Sequence, residues 1–435
     1  ELFGESRANG TLLQTNRTYF RQLSVGGDLP TRRLGSFSFR AYGGTQVFDQ
    51  NFTAVAADRN SETLTRMQRV PSQFIGLTVQ WSRAVGASQT LVVGLDTREV
   101  RGASDEIVFV QNRPSSLVGA GGRERTVGFF VEDIVRLTPR LFLTGGVRVD
   151  RWREFAAQSA TRPVGQTAAT VNVFADRTET AISPRLSVLY KPGENISLSL
   201  AAYRAFRQPS LNELYRSFRV GDVLTLSNEN LRAERMAGGE AGASVVTFNG
   251  RLNARGTFFW AEITRPIANV TLMVTPNLIT RQRQNLGRTR SRGLELDAEA
   301  RINDRWSLTG GYLFVDARVR SFPANAALEG LLIPQVARHQ LTFQLRYTNP
   351  ARLTVGLQGR AAGSQFDDDQ NLFRLDRFFT LDALASRPVA GGVEIFIAGE
   401  NLFNRRYALG RTPVTTVSPP LLIRVGLRLR FGAAR

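Results

Sequence analysis

The 435-residue chain contains no cysteine and a single histidine, His339. That removes disulfides, thiolate nucleophiles, zinc centres built from Cys or His, and any triad needing more than one imidazole. The lack of cysteine suits a protein of an oxidising envelope compartment, where stray thiols would crosslink. Lysine is reduced to Lys191, so the formal net charge of +19 is carried by arginine. Arginine forks onto phosphate and carboxylate, which points to lipopolysaccharide, nucleic acid or an acidic ligand as a neighbour. No stretch reaches the roughly 18 consecutive apolar residues of a membrane-spanning helix. The start, Glu1-Leu2-Phe3-Gly4-Glu5, lacks the basic-then-apolar layout of a signal peptide and reads as the middle of a strand. The natural start of the protein is therefore expected upstream.

What the chain does have is alternation. In its last stretch Ile423, Val425, Leu427, Leu429 and Phe431 fall on one face of a strand, with Arg424, Arg428, Arg430 and Gly426 on the other. Leu252, Ala254, Gly256, Phe258 and Trp260 alternate in the same way with Arg251, Asn253, Arg255 and Thr257. Such segments number about 18, most of them about 9 to 15 residues long, against about 5 or 6 in soluble sheets. That length is what a tilted strand needs to cross a bilayer with lipid on one side and water on the other.

The connections alternate as well. Compact turns with Gly, Pro or Asn chemistry fall at 85–88, 138–140, 191–195, 248–250, 302–305, 348–350 and 389–392. Long connections lie between them near 47–71, 102–122, 155–179, 207–234, 266–285, 319–336, 363–377 and 402–421. Short turns at one end of a meander and long loops at the other mark an outer-membrane barrel. The reading is an all-β, transmembrane, antiparallel up-and-down β-barrel that occupies residues 1–435 as one domain. No repeat of about 40 to 50 residues points to a propeller.

Three segments carry a family likeness. Tyr203-Arg204-Ala205-Phe206-Arg207-Gln208-Pro209-Ser210-Leu211-Asn212-Glu213-Leu214-Tyr215 resembles the Arg, Pro, Leu and Glu-Leu-Tyr pattern that ends a strand in TonB-dependent outer-membrane receptors. Asn228-Glu229-Asn230-Leu231-Arg232-Ala233-Glu234 resembles their Asn, Leu, Pro, Glu motif, with Ala233 in place of Pro. Gly399-Glu400-Asn401-Leu402-Phe403-Asn404-Arg405-Arg406-Tyr407 is similar to their Glu-Asn-Leu-Phe-Asn signature, and the closing strand to their terminal strand.

The resemblance covers essentially the whole chain. It implies an outer-membrane receptor of a Gram-negative-type bacterium, with neither catalytic residues nor a metal or other cofactor. Such a receptor takes up a scarce solute such as a ferric siderophore, a corrinoid or an oligosaccharide, energised by TonB; a passive porin-like channel is the alternative. It also implies that an N-terminal plug, the TonB-contacting box and some strands are missing, since such barrels have about 22 strands. Membrane lipids, lipopolysaccharide and the barrel assembly machinery are the other implied partners. Phe431 would be the aromatic that the machinery reads, although Gly432-Ala433-Ala434-Arg435 follows it.

Within that frame, Glu213, Leu214 and Tyr215 open a long connection, either as a ligand or plug contact or as an anchor with Arg204 paired to Glu213 or Glu234. Arg281, Arg283, Arg288, Arg290 and Arg292 form a basic run with no interleaved aromatics. Lumen lining or an outer ring facing lipopolysaccharide phosphates therefore fits them better than nucleic acid. Asp367, Asp368 and Asp369 lack the alternate spacing of a folded calcium loop and read as a solvated acidic loop. Phe129, Phe130, Trp152, Tyr190, Trp260, Trp306, Tyr347 and Phe378 suit interfacial girdles, whereas in a soluble protein they would be core. The ligand itself is not legible in the sequence.

Overall fold

A computed structural model of the chain describes residues 1–56, 58–276, 278–390, 392–412 and 414–429. It opens with strands β1 (Leu2–Ala8), β2 (Thr15–Thr31), β3 (Gly35–Val55), β4 (Glu62–Val85), β5 (Gln89–Val110), β6 (Arg113–Thr138) and β7 (Leu141–Pro163). There follow β8 (Thr170–Val173), β9 (Arg177–Tyr190), β10 (Ile196–Arg207), helix α1 (Leu211–Tyr215), β11 (Phe218–Val220) and β12 (Val223–Leu226). Next come β13 (Glu234–Thr247), β14 (Leu252–Thr264), β15 (Ile267–Thr275), β16 (Leu278–Asn285), β17 (Arg288–Arg301) and β18 (Trp306–Ser321). The chain continues through β19 (His339–Asn349), β20 (Leu353–Ala362), β21 (Gln365–Phe366), β22 (Arg374–Leu375) and β23 (Phe378–Ala390). It finishes with β24 (Val393–Glu400), β25 (Ala408–Gly410), β26 (Thr416–Val417) and β27 (Leu422–Leu429).

Among the described residues nineteen strands form one sheet, against the about 18 expected. The strands β11, β12, β16 and β15 make a separate four-stranded sheet. The described chain packs as two compact units. The first comprises Glu1–Ser187, Ala202–Ala237 and Ile263–Arg288; the second comprises Val188–Ala201, Gly238–Glu262 and Thr289–Arg435.

In the first unit the alternation does what the sequence implies. Ile75, Leu77 and Val79 of β4, Leu95 of β5, Val127 and Phe129 of β6, and Val147 and Val149 of β7 all lie exposed. The opposite face carries polar groups, with Arg148 bonded to Asp96 (2.6 Å) and Asp150 (2.6 Å). So much exposed apolar surface, concentrated on one face, is a lipid-facing surface rather than a soluble one.

The first three long connections are corrected by the structure. β3 and β4 stay paired to Val55↔Glu62, β5 and β6 to Val110↔Arg113, and β6 and β7 to Ser116↔Pro163. Gln111 and Asn112, with φ of 51° and 61°, close the second hairpin as a tight two-residue turn. The strands run on past the apolar band, where the buried face is polar, with Thr53, Arg66, Gln68, Ser104 and Glu106 in place of apolar side chains. The backbone ladder persists there while the apolar alternation that revealed it in the sequence disappears.

In the second unit β27 pairs with β24 from Leu422↔Glu400 to Leu429↔Val393. Its Ile423, Val425, Leu427 and Leu429 are 54–71% exposed on one face. Gly426 lies opposite Phe396, and a Cβ there would come within 2.6 Å of that ring, so the glycine makes room for the aromatic. Phe431 lies outside the described residues. Of the expected girdle aromatics, Trp306 is exposed and packs on Tyr347 (5.1 Å). Trp152 is fully buried on the polar face of β7, so it is core rather than girdle.

Candidate functional site

After β10 the chain leaves the sheet, and its own side chains hold the connection. Ser210 caps α1 through a reciprocal capping box: the Glu213 N–H donates to Ser210 Oγ (3.3 Å) and the Ser210 N–H donates to Glu213 Oε2 (2.8 Å). The helix is only five residues long and survives through packing. Leu214 and Tyr215 are buried with Ala157 and Leu231 in one apolar cluster, against which Leu211 packs. Each fully buried leucine contributes about 1.5–3 kcal/mol of apolar transfer. Pro209 is buried as well.

Arg207 clasps the connection at both ends. Its Nε and Nη2 donate to Glu234 (2.9 and 2.8 Å), and its Nη1 donates to Glu213 (3.1 and 3.0 Å). The expected partner, Arg204, is exposed and takes no part in this clasp. It stands three residues earlier on β10, and an odd separation along a strand turns a side chain to the opposite face. Burial pushes the Glu213 carboxyl up, but the Arg207 guanidinium and the Ser210 donors outweigh it and hold the group below its ordinary value. Tyr215 is pushed up to about 12, first by burial and then by the negative charge of Glu154. Glu234 also accepts from the Ile267 N–H (2.7 Å), and Asn228 donates to the Arg283 carbonyl (2.9 Å). Asn228, Leu231 and Glu234 thus staple the connection to the four-stranded sheet.

A second anchor escaped the sequence reading. Glu106 of β5 sits between the guanidiniums of Arg66 and Arg216, with side-chain exposures of 2%, 10% and 10%. Ser104 Oγ donates to Glu106 (2.7 Å) and lies 2.8 Å from the Gln68 amide. Arg283, from the basic run, donates from Nη1 to the carbonyls of Asn212 (2.8 Å) and Arg216 (2.9 Å), and its guanidinium lies over Phe218. It is therefore a crosslink inside the protein. Beside this anchor a cavity of about 340 Å³ is lined by Phe48, Phe52, Gln68, Leu211 and Arg216, among others. Glu106 and Arg66 fall in stretches read as loops, and the partners stand 40 and 110 residues apart, so no local spacing signals them.

The later motif organises the last long connection of the second unit. Asn401, at φ 51°, donates to the carbonyls of Arg405 (3.0 Å) and Pro419 (2.9 Å) and accepts from the Arg405 N–H (2.8 Å). The Asn404 side chain accepts from the Leu421 N–H (2.9 Å), and the Leu402 N–H donates to the Leu381 carbonyl (2.8 Å). Tyr407 stacks on Phe378 at 3.9 Å, Phe403 lies exposed near Phe379, and Glu400 pairs with Arg424.

The acidic run is not simply solvated. Asp367 accepts from the N–H groups of Arg411 (2.8 Å) and Thr412 (2.9 Å), and buried Asp368 accepts from those of Leu372 (3.1 Å) and Phe373 (2.7 Å). Among the described residues no group of three His, Cys, Asp or Glu could hold a metal ion. Glu213, Asn228, Glu234, Asn401 and Asn404 thus each hydrogen-bond across a long connection and fasten it to the rest of its unit.

Comparison with known proteins agrees with this construction. The sequence profile of the TonB dependent receptor-like, beta-barrel family matches residues 3–402. The chain is 23% identical to the probable TonB-dependent receptor BfrD of Bordetella pertussis over 59% of this chain and 34% of that protein. It is 26% identical to the metal-pseudopaline receptor CntO of Pseudomonas aeruginosa over 60% of this chain and 34% of that protein. Among solved structures it is similar to the ferric yersiniabactin uptake receptor FyuA of Yersinia pestis, with a TM-score of 0.75, 16% identity, and coverage of 98% of this chain and 63% of that one. The siderophore receptor PiuA of Acinetobacter baumannii gives a TM-score of 0.73 at 14% identity, covering 96% and 65%. The matched region thus spans about a third of those two curated relatives.

Proposed function

Because the chain belongs to the TonB-dependent receptor-like β-barrel family, outer-membrane proteins of Gram-negative bacteria, we propose that it forms the barrel of a receptor for energised uptake of a scarce solute. In this reading the whole of residues 1–435 is barrel, and the plug with its TonB contact is supplied by sequence beyond it. The solute is a metal–chelate complex of the siderophore type: CntO is named as a metal-pseudopaline receptor, FyuA as a ferric yersiniabactin uptake receptor and PiuA as a siderophore receptor. The observation that carries the reading is the family match over residues 3–402, joined to connections that side chains fasten at both ends. A passive pore needs no such scaffold for recognition, and the family is one of receptors and transporters rather than enzymes. The barrel assembly machinery would insert the chain, with phospholipid and lipopolysaccharide packed against its exposed apolar face.

The test uses the full-length gene product in a strain stripped of its own siderophore receptors. Radiolabelled iron is offered as a trihydroxamate, a tricatecholate or a carboxylate-type chelate, with TonB present or deleted. Uptake of at least one chelate that vanishes without TonB is the expected result. Flux that persists unchanged when TonB is deleted would instead establish a passive channel.

A further inference from the structure

The exposed apolar face of the second unit is not smooth. A groove of about 740 Å³ runs across β14, β17, β18 and β19. Ala254, Gly256, Ala298 and Gly310 give it a floor of small side chains, and Leu296 and Leu341 wall it. Toward the long connection after β18, the same strand face changes character. Tyr312, Phe314, Asp316 and Arg318 follow one another on it at every second residue, so Arg318 stands about 20 Å beyond Tyr312 at roughly 3.3 Å of rise per residue. The Tyr312 hydroxyl meets His339 Nδ1 at 2.8 Å, Phe314 packs on the His339 ring at 5.2 Å, and Arg338 lies over Phe314 at 5.7 Å. An aromatic band therefore separates an aliphatic groove from a charged rim, the order of environments met on leaving a bilayer core.

At that rim three guanidiniums converge on one carboxylate. Arg318 Nε donates to Asp316 (2.8 Å), and Arg338 and Arg292 approach it at 3.7 and 3.8 Å. Asp316 is 10% exposed, whereas the arginine side chains are 35–52% exposed. Three positive groups against one negative leave a surplus of two positive charges. Asp316 cannot saturate three forks, and a further anion fits the open side.

We propose that the groove and its rim form a binding site for one molecule of lipid A, the phosphorylated and multiply acylated glycolipid of the outer leaflet. A phosphate monoester bridges Arg292, Arg318 and Arg338, and acyl chain fills the groove over Gly310 and Ala298. This rests on the outer-membrane reading given above. The charge favours lipid A over a glycerophospholipid: a phosphate monoester carries about −1.5 to −2 at neutral pH and matches the surplus, whereas a phosphodiester carries a single charge.

The full-length receptor, extracted from outer membranes into a non-ionic detergent, is titrated with diphosphoryl lipid A, its dephosphorylated counterpart and phosphatidylglycerol, and adducts are read by native mass spectrometry. A one-to-one diphosphoryl adduct at least tenfold tighter than either other lipid is expected. R292Q/R318Q/R338Q should weaken it at least tenfold, and Ala298→Phe, which fills the groove without changing charge, at least threefold. Arg151→Gln, exposed in the other unit, should leave it unchanged. If the triple variant does not assemble, R318Q and Ala298→Phe decide. Equal affinity for lipid A and phosphatidylglycerol, or affinity untouched by the rim and groove variants, overturns the site. Absence of the chain from the outer-membrane fraction would overturn the underlying reading instead.

Discussion

Replacing Glu106 by Ala strikes the anchor between β5 and the connection that follows β10. The substitution leaves Arg66 and Arg216 facing each other with 10% of each side chain exposed and no carboxylate between them. Removing one partner of a buried ion pair costs about 3–5 kcal/mol, because the remaining charge stays desolvated. The sheet itself is held by ladders of backbone bonds, so the loss falls on the docking of residues 208–231. At about 1.4 kcal/mol per decade, amide protection across Leu211–Leu231 should fall roughly a hundredfold or more, while amides of β20 and β23 keep theirs. Hydrogen exchange read by mass spectrometry on the detergent-solubilised protein measures both. Replacing all three side chains together, as R66M/E106L/R216M, should recover most of the protection, since no charge is then left buried. A fall of less than threefold in the Glu106→Ala protein, or no recovery in the triple variant, would refute the claim that this triad holds the connection.

The Arg207 clasp carries a pH signature. The Glu213 carboxyl is held below its ordinary value, so its contribution is complete above the unfolded-state value of about 4.5 and is lost only as pH falls through the lower folded value. Protection of Gln208–Tyr215 should hold from pH 7 to 5 and decline below that, and Glu213→Gln should flatten the profile; a decline already complete by pH 5 would contradict the assignment. In the second unit, Asn401→Ala removes three side-chain bonds that span the last connection. At about 1 kcal/mol net for each bond, limited proteolysis between 402 and 421 should accelerate roughly tenfold or more, and an unchanged cleavage rate would show that the loop is held by other contacts.

What the sequence revealed follows from where water is. Inside the bilayer one face of each strand meets lipid, and residues such as Ile423, Val425 and Leu427 must be apolar at every second position. Beyond it, the strands from Asn51 to Val55 and from Ser104 to Val110 stay paired, with a register shift at Phe52/Thr53 and at Val108/Phe109, but they carry no apolar alternation and read as loops. The motif residues could be listed from the sequence, but their partners could not. A three-residue shift on β10 decides between Arg204 and Arg207, and the position where β10 stops pairing is not encoded in local composition. Trp152 shows the same limit. An aromatic satisfies a lipid girdle or a buried polar face equally well, and only the parity of the strand separates them.

The paired hairpins that rise beyond the apolar band have a consequence for how such a chain can vary. Side chains repeat every two residues along a strand, so a matched insertion of two residues in each arm of the β5–β6 hairpin lengthens it by one full repeat. It leaves the Gln111–Asn112 turn, the Glu106 anchor and every lipid-facing position on their original sides. A single-residue insertion below the turn reverses the face of everything between it and the next bulge. The reach of these hairpins toward the surroundings is therefore adjustable in steps of about 7 Å, while the membrane-embedded part of the sheet stays as it is.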